Sequence, residues 1–295
     1  MKGAIFINKI KTGFIVALIF AFLSAIVYFI TLGLGLDYVS AVTVSIALSL
    51  LMSFGTYWFS DKMVLKMSGA HPPSAEQLAV LRPMVERLCR EAELPMPQIY
   101  ITDDSAPNAF ATGRNPSHAV VCVTAGLMRV LDKDQLEGVI AHEIAHIKNY
   151  DILLQTVASI MIGAAMISAN MYGRSMMYGS RRRSRDNNSG VWALVGLLFV
   201  ILAPIAGQLM KMALSRNREY LADATGAALS GKPKALASAL LTISQNAIPM
   251  QNVSEATEGM YISNPLKAAN GSVKNLFSTH PPIEERVRRL RSMNE

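Results

Sequence analysis

The chain has 295 residues, 51% of them hydrophobic and only 17% charged, where a water-soluble domain carries about 25% charged residues. The deficit is concentrated in four uncharged stretches, between Lys11 and Asp37, Asp37 and Asp61, Asp151 and Arg174, and Asp186 and Lys211. A helix needs roughly 20 apolar residues to cross a bilayer core, where the backbone must satisfy itself, and each stretch is long enough. An ordinary soluble enzyme, a disordered chain and a secreted disulfide scaffold are excluded.

The net charge of +7 does not point to nucleic acid. Its densest part is Arg174, Arg181, Arg182, Arg183 and Arg185 against Asp186, with no aromatic platform for base stacking. Cytoplasmic loops of membrane proteins are basic, and anionic lipid is the better partner.

In chain order, residues 1–61 read as a first membrane hairpin. Lys2, Lys9 and Lys11 precede a long apolar run with no small-residue cleavage site after it, so it is an uncleaved span and not a removed leader. The hairpin runs from Phe14 to Phe59 and turns at Gly33–Asp37. That turn lacks Lys and Arg, while Lys62 and Lys66 join the N-terminal lysines at the open end, which places both ends in the cytoplasm. Tyr57 and Trp58 stand where an interfacial aromatic belt belongs.

Residues 62–150 are polar enough to fold in water. Leu78, Leu81, Val85 and Leu88 predict a helix over Ser74–Glu93 with Ser74 as N-cap. Gln98–Thr102 and His118–Thr124 are predicted strands. Between them a turn at Ser105–Asn108 leads into Ala109–Gly113, a short edge strand. From Asp134 the pattern is helical again, on Leu136, Val139, Ile140, Ile144 and Ile147. Residues 151–211 form a second hairpin with the arginine-rich turn. Residues 212–295 hold predicted helices at Ser215–Leu229 and Lys234–Ser244, a connector at Gln251–Gly271, and a basic amphipathic helix at Pro281–Ser292 with Ile283, Val287 and Leu290 inward. Cys89 and Cys122 lack metal spacing and read as small buried hydrophobes.

His142-Glu143-Ile144-Ala145-His146 carries the chemistry. On a helix the two imidazoles share a face and can bind one metal ion, with Glu143 beside them as base for the attacking water. A catalytic zinc wants a third protein ligand and an open position. His71 and His118 read as structural. Glu219 and Asp223, one helical turn apart, offer one carboxylate for the metal and one for a ligand imidazole. Spacing alone leaves open that both lie on a solvated face with Arg216 and Arg218.

The zinc motif with Asn149 and Asp151 after it, the Arg216…Glu219…Asp223 block, Thr279-His280-Pro281-Pro282 and Asn108–Gly113 together resemble the HtpX family of membrane metalloproteases, over nearly the whole chain. The resemblance implies a mainly α integral membrane protein, with four transmembrane helices in two hairpins and an α+β gluzincin-type protease domain holding a small sheet. It implies one zinc ion per chain on His142, His146 and Glu219, with Asp223, Asn149 and Arg216 supporting them and Glu143 as base. By analogy, His280 helps stabilise the oxyanion, and Asn108, Ala109, Phe110, Ala111, Thr112 and Gly113 pair with extended substrate. The implied activity is an endopeptidase of protein quality control acting on misfolded or damaged membrane proteins and unfolded chains. Its implied place is the bacterial cytoplasmic (inner) membrane, with the protease domain facing the cytoplasm. Prenyl-protein-processing relatives share the motifs but have more spans.

One metal holding both His146 and Glu219 requires the second hairpin to begin and end on one side of the membrane. If that hairpin crosses fully, its arginines lie outside, against the positive-inside rule. A membrane scaffold or chaperone with structural zinc is the competing class. It is disfavoured because closed structural sites use four Cys or His ligands.

Overall fold

The structure is a computed structural model that describes residues 35–157, 159, 216–251, 258–263 and 281–293, with individual residues between 6 and 32. The second hairpin beyond residue 159, its arginine turn, most of the Gln251–Gly271 connector and His280 lie outside the described residues.

Helix α1 (Tyr38–Met67) is capped by Asp37, whose carboxylate accepts the amides of Val39 and Ser40. Its 30 residues span about 45 Å, against a hydrocarbon core of about 30 Å. Tyr38–Gly55 is long and apolar enough to cross a membrane, and among the described residues it is the one segment that is. Val44, Leu48, Leu51 and Phe54 are exposed along this helix, while small Ala41, Ser45 and Ser49 recur every fourth residue and are buried. The last turns leave the apolar window and bury Val64 and Leu65 beside the sheet.

Helix α2 (Ala75–Ala92) starts with a capping box between Ser74 and Gln77, within one residue of the predicted start. The sheet has strands β1 (Gln98–Thr102), β2 (Ala109–Gly113) and β3 (Ala119–Thr124) in the order β1-β3-β2. β3 is parallel to β1 and antiparallel to β2, with Gln98 opposite Val120 and Ala109 opposite Val123. The β-branched run of β3 is buried throughout, as a central strand requires. His118 was expected to open β3; it ends a 3₁₀ turn instead, its ring 2.9 Å from the Asn115 side chain. Pro116 supplies no amide to a ladder and begins that turn.

Among the described residues, four further helices close the unit after the short α3 (Ala125–Val130): α4 (Lys133–Lys148), α5 (Arg216–Ser230), α6 (Pro233–Gln245) and α7 (Ile283–Arg291). One hydrophobic core joins residues on both sides of the second hairpin, including Leu88, Ile140 and Ile144 with Leu236, Leu240 and Leu290. Cys89 and Cys122 are free and buried, as the sequence suggested. Glu137 on α4 takes Arg87 of α2 and Lys232 before α6, tying three elements at the rim. Helices α4 and α5 pack tightly at Gly226, where a Cβ would sit 2.8 Å from the backbone nitrogen of His142. Only glycine permits that approach, and it brings the histidine helix against the glutamate helix.

Candidate metal centre

Helix α4 presents His142 and His146 on its buried face, and α5 presents Glu219 and Asp223 opposite them. The Nε2 atoms of the histidines are 3.2 Å apart. Glu219 Oε1 lies 3.4 Å from His146 Nε2, and Oε2 lies 3.8 Å from His142 Nε2. Three ligand atoms, one from each residue, fall within 4.8 Å of one another. All three residues are almost wholly buried.

The rear of each imidazole is held by a carboxylate. Asp223 Oδ1 is 3.0 Å from His142 Nδ1, and Asp151 Oδ2 is 3.2 Å from His146 Nδ1. A carboxylate on Nδ1 fixes the tautomer and turns Nε2 toward a metal. Asp151 reaches its histidine because α4 ends in a Schellman motif: the Asp151 amide donates to the His146 carbonyl and the Tyr150 amide to the Ile147 carbonyl. Tyr150 takes the left-handed conformation, φ 60°, that this motif requires. A non-glycine residue there stores of order 1–3 kcal/mol of strain, a pattern common beside functional groups.

Asp223 is in turn gripped by Arg286 of α7, whose Nε donates to Oδ2 (2.8 Å) and Nη2 to Oδ1 (2.7 Å). The guanidinium also lies 3.5 Å from Glu219 Oε2 and 3.4 Å from His142 Nε2. Burial works against the Asp223 charge, yet Arg286 and His142 hold its carboxyl down to about 2. For His142, desolvation lowers the affinity for a proton despite Asp223. For His146, desolvation is outweighed by Asp151 and Glu219, which hold it well above the ordinary value.

Glu143 is 1% exposed, and neither carboxylate oxygen meets a hydrogen-bond partner. Desolvation pushes it up to about 7, with Glu219 adding and the charges of His146 and Arg286 and the nearby Ala111 amide opposing. A base poised near neutrality has the proton affinity that general-base work favours. Convergent nitrogen and oxygen donors, with an unpartnered buried carboxylate beside them, fit a zinc ion with an open position.

The structure thus brings together His142, Glu143, His146, Glu219 and Asp223, and buries Asn149 at the C-cap of α4. Arg216, expected to support the ligands, is exposed at the start of α5. The buried arginine of that block is Arg218, 3.8 Å from Asp151. It stands next to Glu219 on the inward side of the helix, while residue 216 is the first of α5 and faces out. Asn108 and β2 are buried, with β2 at the sheet edge. Sequence reasoning missed Arg286, although an arginine on the Ile283–Val287–Leu290 stripe was a visible anomaly.

A helix carrying two histidines and a glutamate, joined by a second helix that supplies another glutamate, defines a metal-dependent peptidase. Residues 74–294 match peptidase family M48, and the chain belongs to that family. It is 46% identical over 296 residues to a protease HtpX homolog of Dictyoglomus thermophilum, covering 99% of this chain and 94% of that one. A protease HtpX homolog of Pyrococcus furiosus is 46% identical over 96% of this chain and 95% of its own. One from Syntrophobacter fumaroxidans is 49% identical over 85% and 89%. Among solved structures, Ste24p of S. mikatae shares the fold, with TM-score 0.52 at 18% identity over 97% of this chain, which spans 66% of that protein. The protein is a metalloprotease of the HtpX type.

Proposed function

We propose that this chain is a zinc-dependent membrane endopeptidase that cleaves misfolded or damaged membrane proteins in protein quality control. The observation that carries the reading is the buried His142–His146–Glu219 cluster with the unpartnered Glu143 carboxylate beside it. His142, His146 and Glu219 would hold a zinc ion, which would supply the Lewis acidity that activates water for attack. Glu143 takes the proton of the attacking water and delivers it to the leaving amine. Asp223 and Asp151 hold the two imidazoles, and Arg286 holds Asp223. Strand β2, the edge strand of the sheet, pairs with substrate backbone, and His280 steadies the oxyanion.

The proposed division is a membrane hairpin at 1–61, the first catalytic part at 62–150, a second hairpin at 151–211 and the second catalytic part at 212–295. Helices α4 and α5 share one core, which is consistent with two crossings of the hairpin between them or with none; its two long apolar stretches favour two, and so four spans in all. The lysines around the first hairpin support a catalytic part on the cytoplasmic side of the inner membrane. Both native cysteines are buried. Ser184→Cys labelled by an impermeant thiol reagent in intact cells supports full crossing of the second hairpin, and protection opposes it.

The function is tested by the zinc-to-protein ratio of purified protein together with casein digestion. One zinc per chain and digestion lost with chelator or with Glu143→Gln are expected. Digestion unaffected by both would refute the reading.

A further inference from the structure

Strand β2 has one edge on β3 and one edge facing away from it. The Asn108 carbonyl accepts the Thr124 amide (3.0 Å), so even-numbered backbone groups face β3 and those of Ala109, Ala111 and Gly113 face the other edge. That outer edge is covered by the chain itself. The Ile262 amide donates to the Ala109 carbonyl (3.0 Å), and Phe110 and Tyr261 form an antiparallel bridge. Asn108 clamps the next residue, its Nδ2 donating to the Ser263 carbonyl (2.9 Å) and its Oδ1 accepting the Ser263 amide (3.2 Å). The Tyr261 ring stands edge-on to Phe110, centroids 5.1 Å apart, and is 1% exposed. Arg286, which binds Asp223, also donates to the Ile262 carbonyl (3.3 Å) and so ties this tripeptide to the metal centre. At the far end of β2 the Gly113 amide donates to Thr156 Oγ1 (3.3 Å). All five residues of β2 are buried.

We propose that Tyr261–Ser263 is an internal stand-in for the substrate strand, and that the protease is closed until this strap is displaced. The inference rests on β2 being the strand that receives substrate. The strap takes the Ala109 carbonyl, a main-chain acceptor that an added strand would use, and the Asn108 side chain beside it, so an unfolded chain and the strap compete for these partners. Apparent substrate affinity is then reduced by the fraction of molecules that are open. Because backbone groups carry the contact, the competitor is defined as an extended chain with a free amide at the place of Ile262, and not by its side chains. Such a latch opens in proportion to the unfolded polypeptide present and leaves folded neighbours uncut.

The test uses the full chain in detergent, with Ile262→Pro removing the amide that binds Ala109. Loss of one hydrogen bond from the closed form shifts opening about fivefold. A rise of that size in kcat/KM on casein is expected, with an unfolding temperature lowered by only a few degrees. A hexapeptide with the sequence of Glu258 to Ser263 should bind Ile262→Pro about fivefold tighter than the unsubstituted strap, and an analogue N-methylated at its isoleucine should not. Measured by fluorescence anisotropy in a Glu143→Gln background, this binding does not depend on catalysis, so it distinguishes a wrong strap from a wrong protease assignment. If Ile262→Pro fails to fold, Ser263→Pro, which removes the amide bound to Asn108, takes its place. Hydrogen exchange of the Ile262 amide in the unsubstituted strap should quicken under saturating casein. Equal peptide affinity with and without the proline, or exchange indifferent to casein, overturns the proposal.

Discussion

Glutamine at position 143 is expected to abolish proteolysis and to stabilise the chelator-treated protein, because the carboxylate is held where its charge is unwelcome. Burial raises its pKa from 4.5 to about 7. Below pH 4.5 the group is protonated both folded and unfolded, and its stability is fully present. As pH rises toward about 7 the unfolded chain ionises and the folded one does not, so stability falls until the folded group ionises too. The complete penalty is about 3 kcal/mol. Since Glu143 is fully buried, solvent does not screen it. For a unit of this size that corresponds to an unfolding temperature higher by about 6–12 °C in Glu143→Gln at pH 8, shrinking toward zero near pH 4.5. Thermal unfolding at the two pH values, read by tryptophan fluorescence, checks it. Identical curves at pH 8, or a gain that persists undiminished at pH 4.5, would show that the charge is not the cause.

Metal analysis should separate roles: His142→Ala and Glu219→Ala lose bound zinc, whereas Glu143→Gln keeps it. Asp223→Asn leaves the Arg286 guanidinium buried without its carboxylate, so a loss of about 3–5 kcal/mol is expected in thermal unfolding. Gly226→Ala drives a methyl against the His142 backbone, parting α4 from α5, and should cost about 1–3 kcal/mol and weaken zinc binding together.

The helices and strands of the soluble part were legible because their caps and apolar periods are local. Ser74 caps α2 as predicted and α4 begins at Lys133, one residue before the predicted Asp134, whereas α3, only six residues long, was not among the predicted helices. The pair His142 and His146 was legible because four-residue spacing fixes a shared face. The division of labour between Glu219 and Asp223 was not, since both share one face of α5. Only the placement of α4 shows that Glu219 meets the Nε2 atoms and Asp223 an Nδ1. Arg286 and Asp223 are 63 residues apart, and no local pattern reports such a pair. The strap was hidden for a different reason. Pairing through backbone amides leaves no side-chain signature, so nothing set Tyr261 and Ile262 apart within the connector predicted at Gln251–Gly271.

Six residues after the zinc motif connect more than their number suggests. Asp151 holds His146, and five residues on Thr156 lies 2.9 Å, hydroxyl to hydroxyl, from Thr112 of β2. Between them Ile152 begins the apolar stretch read as the third membrane helix, its first turn seated inside the protein and not against lipid. That first turn is therefore held at both ends, by Asp151 on the His146 imidazole and by Thr156 on the outer strand. A shift of this one turn would move the imidazole and the strand together, so their spacing is set by a segment that belongs to neither.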